Sequence, residues 1–254
     1  QCKFSVVITN YNKYRTISRA VSSARNQTDD LEIIIVDDCS TDGSQDILSE
    51  IGADQVIFNT KNMGALSAYV TGIRAATGEF IVFLDGDDEL IPGILVALQK
   101  SGYLHEKWLL RLGMVSMNGN RTPPEIDWRL RREFTFRPGS LFTYSDGTGG
   151  AAFVYPRNLF QDADNALNYI WPKIVVQDHF LPGIMAILAS RVIRFSSKGY
   201  LMAAVGEGPA LSLQRARMDH DRLVSSIALC DASERKGTAL HCSNLGRLIL
   251  RLQL

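Results

Sequence analysis

Three carboxylates stand within four consecutive residues, in the segment Asp85-Gly86-Asp87-Asp88. Such carboxylates repel one another unless a cation or a proton joins them. A hard divalent cation takes oxygen ligands, so a cation bound together with a diphosphate would neutralise this acidic segment. Gly86 has no Cβ and lets the backbone approach a ligand closely. The alternative, a solvated acidic turn, is disfavoured because the segment ends an apolar run that is typical of a buried strand.

A second acidic pair, Asp37-Asp38, follows another apolar run. An aspartate in such a position can accept a hydrogen bond from a base N–H or from a ribose hydroxyl. It can also close an Asx turn or cap the helix that begins near Gly43, and one member of the pair could do only that. Thr9 and Tyr11 follow the first apolar run of the chain, where the ring of Tyr11 could stack on a base or simply lie half-buried.

Short apolar runs and helical patterns alternate over the first hundred residues. We predict strands at Phe4–Thr9, Leu31–Val36, Gln55–Phe58 and Phe80–Leu84, separated by helices that carry Ile17–Ala24, Ile47–Ile51 and Leu66–Ile73. Asn62 is the predicted cap of the third helix, and Pro92 is placed in the first turn of a fourth helix that runs towards Lys100. Repeated β-α units predict a parallel, doubly wound sheet, which binds ligands beyond the carboxyl ends of its strands. All the polar clusters described above lie at those ends.

The pattern is less regular after residue 100. Residues 118–150 are predicted as loops with short strands. The other predicted elements are a strand at Ala151–Tyr155 that leads into a helix near Asn158, a helix at Asp178–Ala189, short strands at Val192–Phe195 and Tyr200–Val205, and C-terminal helices at about 212–230 and 239–253.

Composition limits the classes of function. Lys+Arg and Asp+Glu both number 27, so the formal net charge is zero. Nucleic-acid binders usually carry a basic excess, and we expect no nucleic-acid partner. The four cysteines have no CxxC spacing, which favours reduced thiols in a cytosolic protein.

Location is predicted from the apolar runs. None reaches the ~18 residues that span a bilayer, and no signal peptide is visible. We therefore predict a cytoplasmic protein. Because the last residues are apolar with Arg247 and Arg251 interspersed, peripheral contact with the inner face of the membrane remains open.

Several short segments between residues 4 and 100 resemble, in order and spacing, the family 2 glycosyltransferases with the GT-A fold. They are Val6–Asn12, Ser22–Gln27, Ile35–Gly43, Asn62–Gly64, Ala75–Phe80 and Phe83–Asp88. The resemblance implies an α/β GT-A (Rossmann-like) fold, a mostly parallel doubly wound sheet with C-terminal helices. It implies a catalytic domain at 1–210, with a nucleotide-sugar-binding half at 1–100 and an acceptor-binding half at 101–210. A helical extension would follow at 211–254.

The resemblance also implies roles for the matched positions in donor binding. Thr9, Tyr11 and Asp38 would hold the nucleotide base. Asp85 would lie near the ribose, with Gly86 beside it. Asp87 would bind a divalent metal, Mg²⁺ or Mn²⁺, as part of a DXD motif.

Downstream, the resemblance implies that Asp178 is the catalytic base, at the start of a helix. Gln177 precedes it where the family usually has a glutamate. Gly149–Ala152 would line the donor sugar and the acceptor. Gly206 stands where many relatives have a histidine near the metal, and His179 and His220 are weak substitutes for it.

The expected activity is inverting, metal-dependent transfer of a hexosyl or related sugar from a nucleoside-diphosphate sugar. The acceptor would be a hydroxyl of a glycan or of a lipid-linked molecule, in surface polysaccharide synthesis. A contact of Asp38 with a uracil-like edge favours a UDP-sugar, while GDP and dTDP donors stay open. The metal on Asp87 would act as a Lewis acid towards the leaving diphosphate, and Asp178 would deprotonate the acceptor hydroxyl.

Two alternatives belong to other classes of function. Because Gln177 and Gly206 depart from the family pattern, the chain could be a catalytically inactive, glycosyltransferase-like binding module. The acidic pair Asp37-Asp38 with Asp85 is also similar to the acidic residues of a receiver-like phospho-signalling domain. A whole β-α unit before the acidic pair, and more than a hundred residues left unexplained, count against the receiver.

Overall fold

The structure of the protein, a computed structural model, describes residues 3–116, 132–136, 152–167 and 188–202, together with residues 181, 182 and 185. In this part of the chain the elements follow in the order β1 (Phe4–Asn10), α1 (Ile17–Arg25), β2 (Leu31–Asp37), α2 (Ser44–Leu48), β3 (Gln55–Phe58), α3 (Ala65–Ala75), β4 (Phe80–Asp85), β5 (Glu89–Leu90), α4 (Ile94–Ser101), β6 (Trp108–Ser116), β7 (Arg132–Phe136), β8 (Phe153–Pro156), α5 (Arg157–Leu167) and β9 (Arg191–Met202).

The strands β3-β2-β1-β4 form the parallel half of the sheet, in that order. Thr9 lies opposite Val36 on one side and opposite Asp85 on the other. The carboxyl ends of parallel strands meet at one edge of a sheet, so this register brings the polar residues after β1, β2 and β4 together. The predicted parallel β-α units of the first hundred residues are confirmed.

The strands that follow residue 100 make the sheet mixed. β8 pairs antiparallel with both β4 and β6, and β9 pairs parallel with β6 but antiparallel with β5 and β7. The sheet order from β3 onwards is therefore β3-β2-β1-β4-β8-β6-β9-β5, with β7 attached to β9.

Separate apolar layers cover the two faces of the sheet. On one face, side chains of β1, β2 and β4 pack against α3; on the other, alternate side chains of the same strands pack against α1 and α4. For example, Val7 packs in the layer of α3 with Tyr69, whereas Val6 and Ile8 pack in the layer of α1. Burial of each large apolar side chain stabilises the fold by about 1.5–3 kcal/mol.

Helix α3 lies unusually close to β1 because of Gly72. A Cβ at this position would lie 2.3 Å from Cγ1 of Val7 and 3.2 Å from Cγ2 of Val36. Glycine inside a helix costs about 1 kcal/mol relative to alanine. The close contact between helix and sheet explains why glycine stands here.

The predicted starts of two helices differ from the structure. α3 begins at Ala65 after Gly64, and Asn62 does not cap it; its Oδ1 accepts the N–H of Gly64 at 3.1 Å, in the turn before the helix. α4 begins at Ile94, so Pro92 lies before its first turn rather than in it. In both cases a turn that satisfies its own hydrogen bonds precedes the helix.

One strand, β9, replaces the short strands predicted near 192–195 and 200–205. Arg111 of β6 lies opposite Arg194, and Gly113 lies opposite Lys198, so β9 carries two more residues than β6 between these pairs. This irregularity in register lies between Arg194 and Lys198, and the strand continues through it.

Other predictions fall partly or wholly outside the described residues. Residues 181, 182, 185 and 188 are helical, in agreement with the helix predicted at Asp178–Ala189. The C-terminal helices and the division of the chain at residues 100 and 210 stay predictions. Within the described ranges, no helix combines the length and the apolarity that crossing a bilayer requires.

Candidate active site

The polar residues at the strand ends lie side by side at the carboxyl edge of the parallel strands. Thr9 Oγ1 donates to Oδ1 of Asp85 at 3.4 Å, which joins the end of β1 to the end of β4. Asn10 Nδ2 donates to Oδ1 of Asp37 at 2.6 Å, and the N–H of Asp38 donates to the carbonyl of Asn10 at 2.8 Å. These contacts join the end of β1 to the end of β2.

Asp37 organises the turn that follows β2. Its buried carboxylate accepts hydrogen bonds from Asn10, from the N–H and hydroxyl of Ser40, and from Nε2 of Gln45 at 2.5 Å. A carboxylate offers about four acceptor sites, and these donors fill them. Asp37 is therefore the member of the acidic pair whose role is structural.

Asp38 ties the loop before α3 to the end of β2. Only 3% of this residue is exposed, and its carboxylate accepts hydrogen bonds from Nδ2 of Asn59 at 2.8 Å and from the backbone N–H groups of Met63 and Gly64 at 3.0 and 2.7 Å. The predicted contact of Asp38 with a nucleotide base stays a prediction. A base would have to share the carboxylate oxygens with these donors.

Two buried tyrosines hold Asp85 and Asp88. The hydroxyl of Tyr69 donates to Oδ1 of Asp85 at 2.6 Å, and the hydroxyl of Tyr200 donates to Oδ2 of Asp88 at 2.7 Å. The N–H of Asp85 donates to the hydroxyl of Tyr200 at 3.2 Å. Burial, followed by the charge of Asp85, raises the pKa of both tyrosines well above the usual range, so both phenols stay protonated donors.

Asp87 has a different kind of partner, the ammonium group of Lys13. Nζ of Lys13 lies 2.5 Å from Oδ2 of Asp87, and the two side chains are 36% and 22% exposed. A lysine side chain is flexible and its ammonium is a compact point charge, so it can leave this contact. Among the carboxylates of Asp85, Asp87 and Asp88, that of Asp87 already faces a cation. A carboxylate that binds a metal ion would do the same.

Gly86 packs against the end of β1. Its N–H donates to the carbonyl of Thr9 at 3.0 Å, and a Cβ at this position would lie 2.7 Å from that same oxygen. Real Cβ atoms essentially never approach a backbone oxygen so closely. The structure therefore gives a packing reason for glycine here, and the predicted contact of Gly86 with the donor stays a prediction.

Tyr11 lies on the loop between β1 and α1, with 46% of its surface exposed. The next residue, Asn12, has a φ of 56°, and its Oδ1 accepts the N–H of Thr41 at 2.8 Å. A non-glycine residue in this region of φ costs on the order of 1–3 kcal/mol and persists only where its surroundings hold it. The loop is thus held in place while the ring of Tyr11 stays accessible; stacking on a base stays a prediction.

Ser23 of α1 and Gln27, just after the end of α1, hold the chain that leaves the acidic segment. The hydroxyl of Ser23 accepts the N–H of Leu90 at 3.0 Å. Gln27 donates to the carbonyl of Ile91 at 3.0 Å and accepts the N–H of Leu95 at 3.2 Å. The motif resemblance included this stretch without a role, and the structure supplies one: it positions β5 and the start of α4.

Sequence reasoning missed Lys13, Tyr69 and Tyr200. A basic residue shortly after Tyr11, on the loop that follows a strand end, was a signal that could have found Lys13. Tyr69 lies on the apolar face of a predicted helix and looked like an ordinary core residue. Tyr200 is 115 residues from its partner Asp85, and no local pattern links the two.

The rest of the predicted site lies outside the described residues. This applies to Asp178, Gln177 and Gly206 and to most of the segment at 149–152, of which only Ala152 is described. The part of the chain that the structure describes contains no group of three or more His, Cys, Asp or Glu side chains arranged to hold a metal ion.

The mixed sheet, with a parallel half that ends in an acidic segment, is the architecture of the GT-A fold. A sequence profile of the family named Glycosyl transferase family 2 matches residues 5–163, which is more than half of the 254 residues. The chain belongs to this family. The receiver-like alternative is thereby set aside.

A curated relative adds information about acceptors. The chain is 34% identical over 138 residues to the UDP-Glc:alpha-D-GlcNAc-diphosphoundecaprenol beta-1,3-glucosyltransferase WfaP of Escherichia coli; the match covers 49% of this chain and 53% of the relative. The chain spans about a third to a half of the length of the first curated relatives that it matches. This relative, by its name, acts on a lipid-linked acceptor.

Solved structures confirm the GT-A fold. TarS 1-349 of S. aureus in complex with UDP-GlcNAc matches with a TM-score of 0.64 and 19% identity, over 91% of this chain and 72% of that chain. GalNAc-T7 with UDP, GalNAc and Mn²⁺ matches with a TM-score of 0.62 and 18% identity, over 89% of this chain and 48% of that chain. Structural neighbours thus include glycosyltransferases that bind a UDP-sugar and Mn²⁺.

Proposed function

We propose that this chain carries the donor site and the catalytic base of an inverting glycosyltransferase. It would transfer a hexosyl or related sugar from a UDP-sugar to a hydroxyl of a glycan or a lipid-linked acceptor, in surface polysaccharide synthesis. The observation that carries the proposal is the meeting of Thr9, Asp38 and the acidic segment at one edge of a parallel sheet, in a chain of glycosyl transferase family 2.

The donor nucleotide would lie along this edge. Thr9, Tyr11 and Asp38 would hold the base, and Asp85 would face the ribose. The exposed ring of Tyr11 supports this arrangement, since a stacking side chain must be accessible. UDP is favoured because the TarS and GalNAc-T7 structures contain UDP or a UDP-sugar, with GDP and dTDP as the alternatives.

A divalent cation, Mg²⁺ or Mn²⁺, would be held by Asp87 and by oxygens of the donor diphosphate. When bound, it would supply a Lewis acid for the leaving diphosphate. The fit rests on the contact between Asp87 and an ammonium group, which shows that this carboxylate accepts a positive charge. Tyr69 and Tyr200 hold the neighbouring carboxylates of Asp85 and Asp88, which supports Asp87 as the residue that would hold the cation.

The acceptor hydroxyl would be deprotonated by Asp178, which the motif resemblance places at a helix start. Attack opposite the leaving group would invert the anomeric centre in a single displacement, because no second nucleophile is needed. Lipid-linked acceptors are supported by the name of WfaP. An acceptor of that kind would bring the protein to the inner face of the membrane through peripheral contact.

The experiment is a screen of nucleotide sugars with the purified chain, with release of the nucleoside diphosphate as readout. We expect release from one UDP-sugar in the presence of Mn²⁺, slow with water and faster with the correct acceptor. This outcome also separates an enzyme from the inactive binding module, which would bind the donor without releasing UDP. Binding of UDP-sugars without release under any condition would contradict the proposal.

A further inference from the structure

The contact between Lys13 and Asp87 affects how a metal ion and a diphosphate would bind at the donor site. Nζ of Lys13 lies 2.5 Å from Oδ2 of Asp87, the residue to which the proposed function assigns the metal ion. An ammonium group and a divalent cation on the same carboxylate would repel each other. Lys13 therefore competes with the metal for Asp87.

Hydrogen bonds hold the backbone of Lys13, whereas its side chain is a flexible four-carbon stem. Its carbonyl accepts the N–H groups of Thr16 and Ile17 at 2.9 Å each, at the entrance to α1. A Cβ at Gly86 would lie 3.5 Å from Cβ of Lys13, which places the base of the lysine directly beside the acidic segment. The four-carbon stem can then swing its ammonium from Asp87 to a neighbouring anion without moving the chain.

Resting on the function proposed above, we propose that Lys13 is a positioning residue that couples metal binding to diphosphate binding. In the free protein its ammonium neutralises Asp87 and weakens the binding of a divalent cation without the donor. When the donor binds, the ammonium moves to the diphosphate, and Asp87 becomes available to the cation that enters with it. Metal and nucleotide consequently bind together rather than independently.

The charges support this exchange. Without the donor, three aspartates lie in the segment and the lysine supplies a positive charge to one of them. The donor adds a diphosphate of about two negative charges, and a lysine close to it makes charge-assisted hydrogen bonds that are about twice as strong as neutral ones. The divalent cation then replaces the ammonium at Asp87.

The test measures binding of Mn²⁺ alone and of UDP in the presence of Mn²⁺, by the electron paramagnetic resonance signal of free Mn²⁺ and by calorimetry. In Lys13→Gln we expect Mn²⁺ alone to bind about fivefold tighter, because a competing charge is removed. We expect UDP in Mn²⁺ to bind about tenfold weaker, because a charged hydrogen bond is lost. Tighter binding of Mn²⁺ alone together with weaker binding of UDP in Mn²⁺ would indicate that Lys13 couples the two binding events.

Two further variants separate this role from a purely structural one. Lys13→Arg keeps the charge and should restore most of the coupling. Lys3→Gln removes a comparable ion pair, with Glu79 at 2.6 Å, and should bind both ligands like the wild type. Suppose that Lys13→Gln binds Mn²⁺ with unchanged affinity, while UDP binding by the wild type depends on Mn²⁺. That result would overturn this inference and leave the proposed function in place. A wild-type chain that binds no UDP in Mn²⁺ would overturn the proposed function as well.

Discussion

The five aspartates at the site edge have the same side chain but different partners. Donors of the following turn surround Asp37, and donors of the loop before α3 surround Asp38. Tyrosine hydroxyls hold Asp85 and Asp88, and a lysine ammonium faces Asp87. These partners decide whether a carboxylate can bind a metal ion. A carboxylate surrounded by neutral donors has less room for a metal ion than one that is paired with an exchangeable cation.

The role of Tyr69 as a hydrogen-bond donor to Asp85 can be tested with Tyr69→Phe. The variant removes the donor to Asp85 and leaves a part-buried carboxylate with one strong hydrogen bond fewer. We expect the free energy of unfolding to fall by about 1–3 kcal/mol and UDP binding in Mn²⁺ to weaken. Chemical denaturation and calorimetry measure the two effects. Tyr14→Phe, at a tyrosine that is 49% exposed, is the control, and a loss no larger than in that control would refute the role.

Asp178 can be tested by Asp178→Asn, which keeps the ability to cap a helix and removes the basicity. We expect binding of UDP and of metal near the wild-type level, and a rate of transfer to acceptor about 10²–10⁴-fold lower. A radiolabelled or fluorescent donor measures transfer. Asp54→Asn, at an aspartate paired with Arg25 on the surface, serves as the control. Transfer at a normal rate in Asp178→Asn would remove the catalytic base from the mechanism.

At the scale of elements, local patterns predicted the strands better than the helix starts. Strands such as Phe4–Asn10 are continuous apolar runs, and burial on both faces explains them fully. Helix starts depend on turn geometry: Asn62 bonds to Gly64 before the helix begins, and this competes with its use as a cap. The continuity of β9 depends on pairing with β6, which lies far away in sequence.

The close packing of α3 on β1 makes a prediction for Gly72→Ala. Alanine favours a helix by about 1 kcal/mol, but its Cβ would lie 2.3 Å from Val7, so α3 must shift outwards. We expect a net loss of about 1–3 kcal/mol in the free energy of unfolding, together with weaker UDP binding because α3 carries Tyr69. Ser67→Ala on the same helix is the matched control. A variant at Gly72 that is as stable as this control would show that the helix and sheet are not in close contact.

At the scale of the whole molecule, the first hundred residues were the predictable part. Local periodicity and short motifs placed Thr9, Asp38 and the acidic segment at one edge, and the strand register confirms that placement. The second half of the sheet was not predictable in detail, because β4 with β8 and β6 with β9 pair over long separations that leave no local pattern. Tyr200 was missed for the same reason, since its partner Asp85 lies 115 residues away in sequence.

The proposed donor site depends on Asp87, which would hold a divalent cation together with the donor diphosphate. Calorimetric titration of UDP into the chain, in Mn²⁺ and in EDTA, tests it most directly, with Asp87→Asn beside the wild type and Asp54→Asn as the control. We expect the wild type and the control to bind UDP at least about tenfold tighter in Mn²⁺ than in EDTA. In Asp87→Asn this difference should be lost while the fold stays intact. Equal affinity of the wild type for UDP in Mn²⁺ and in EDTA would contradict it.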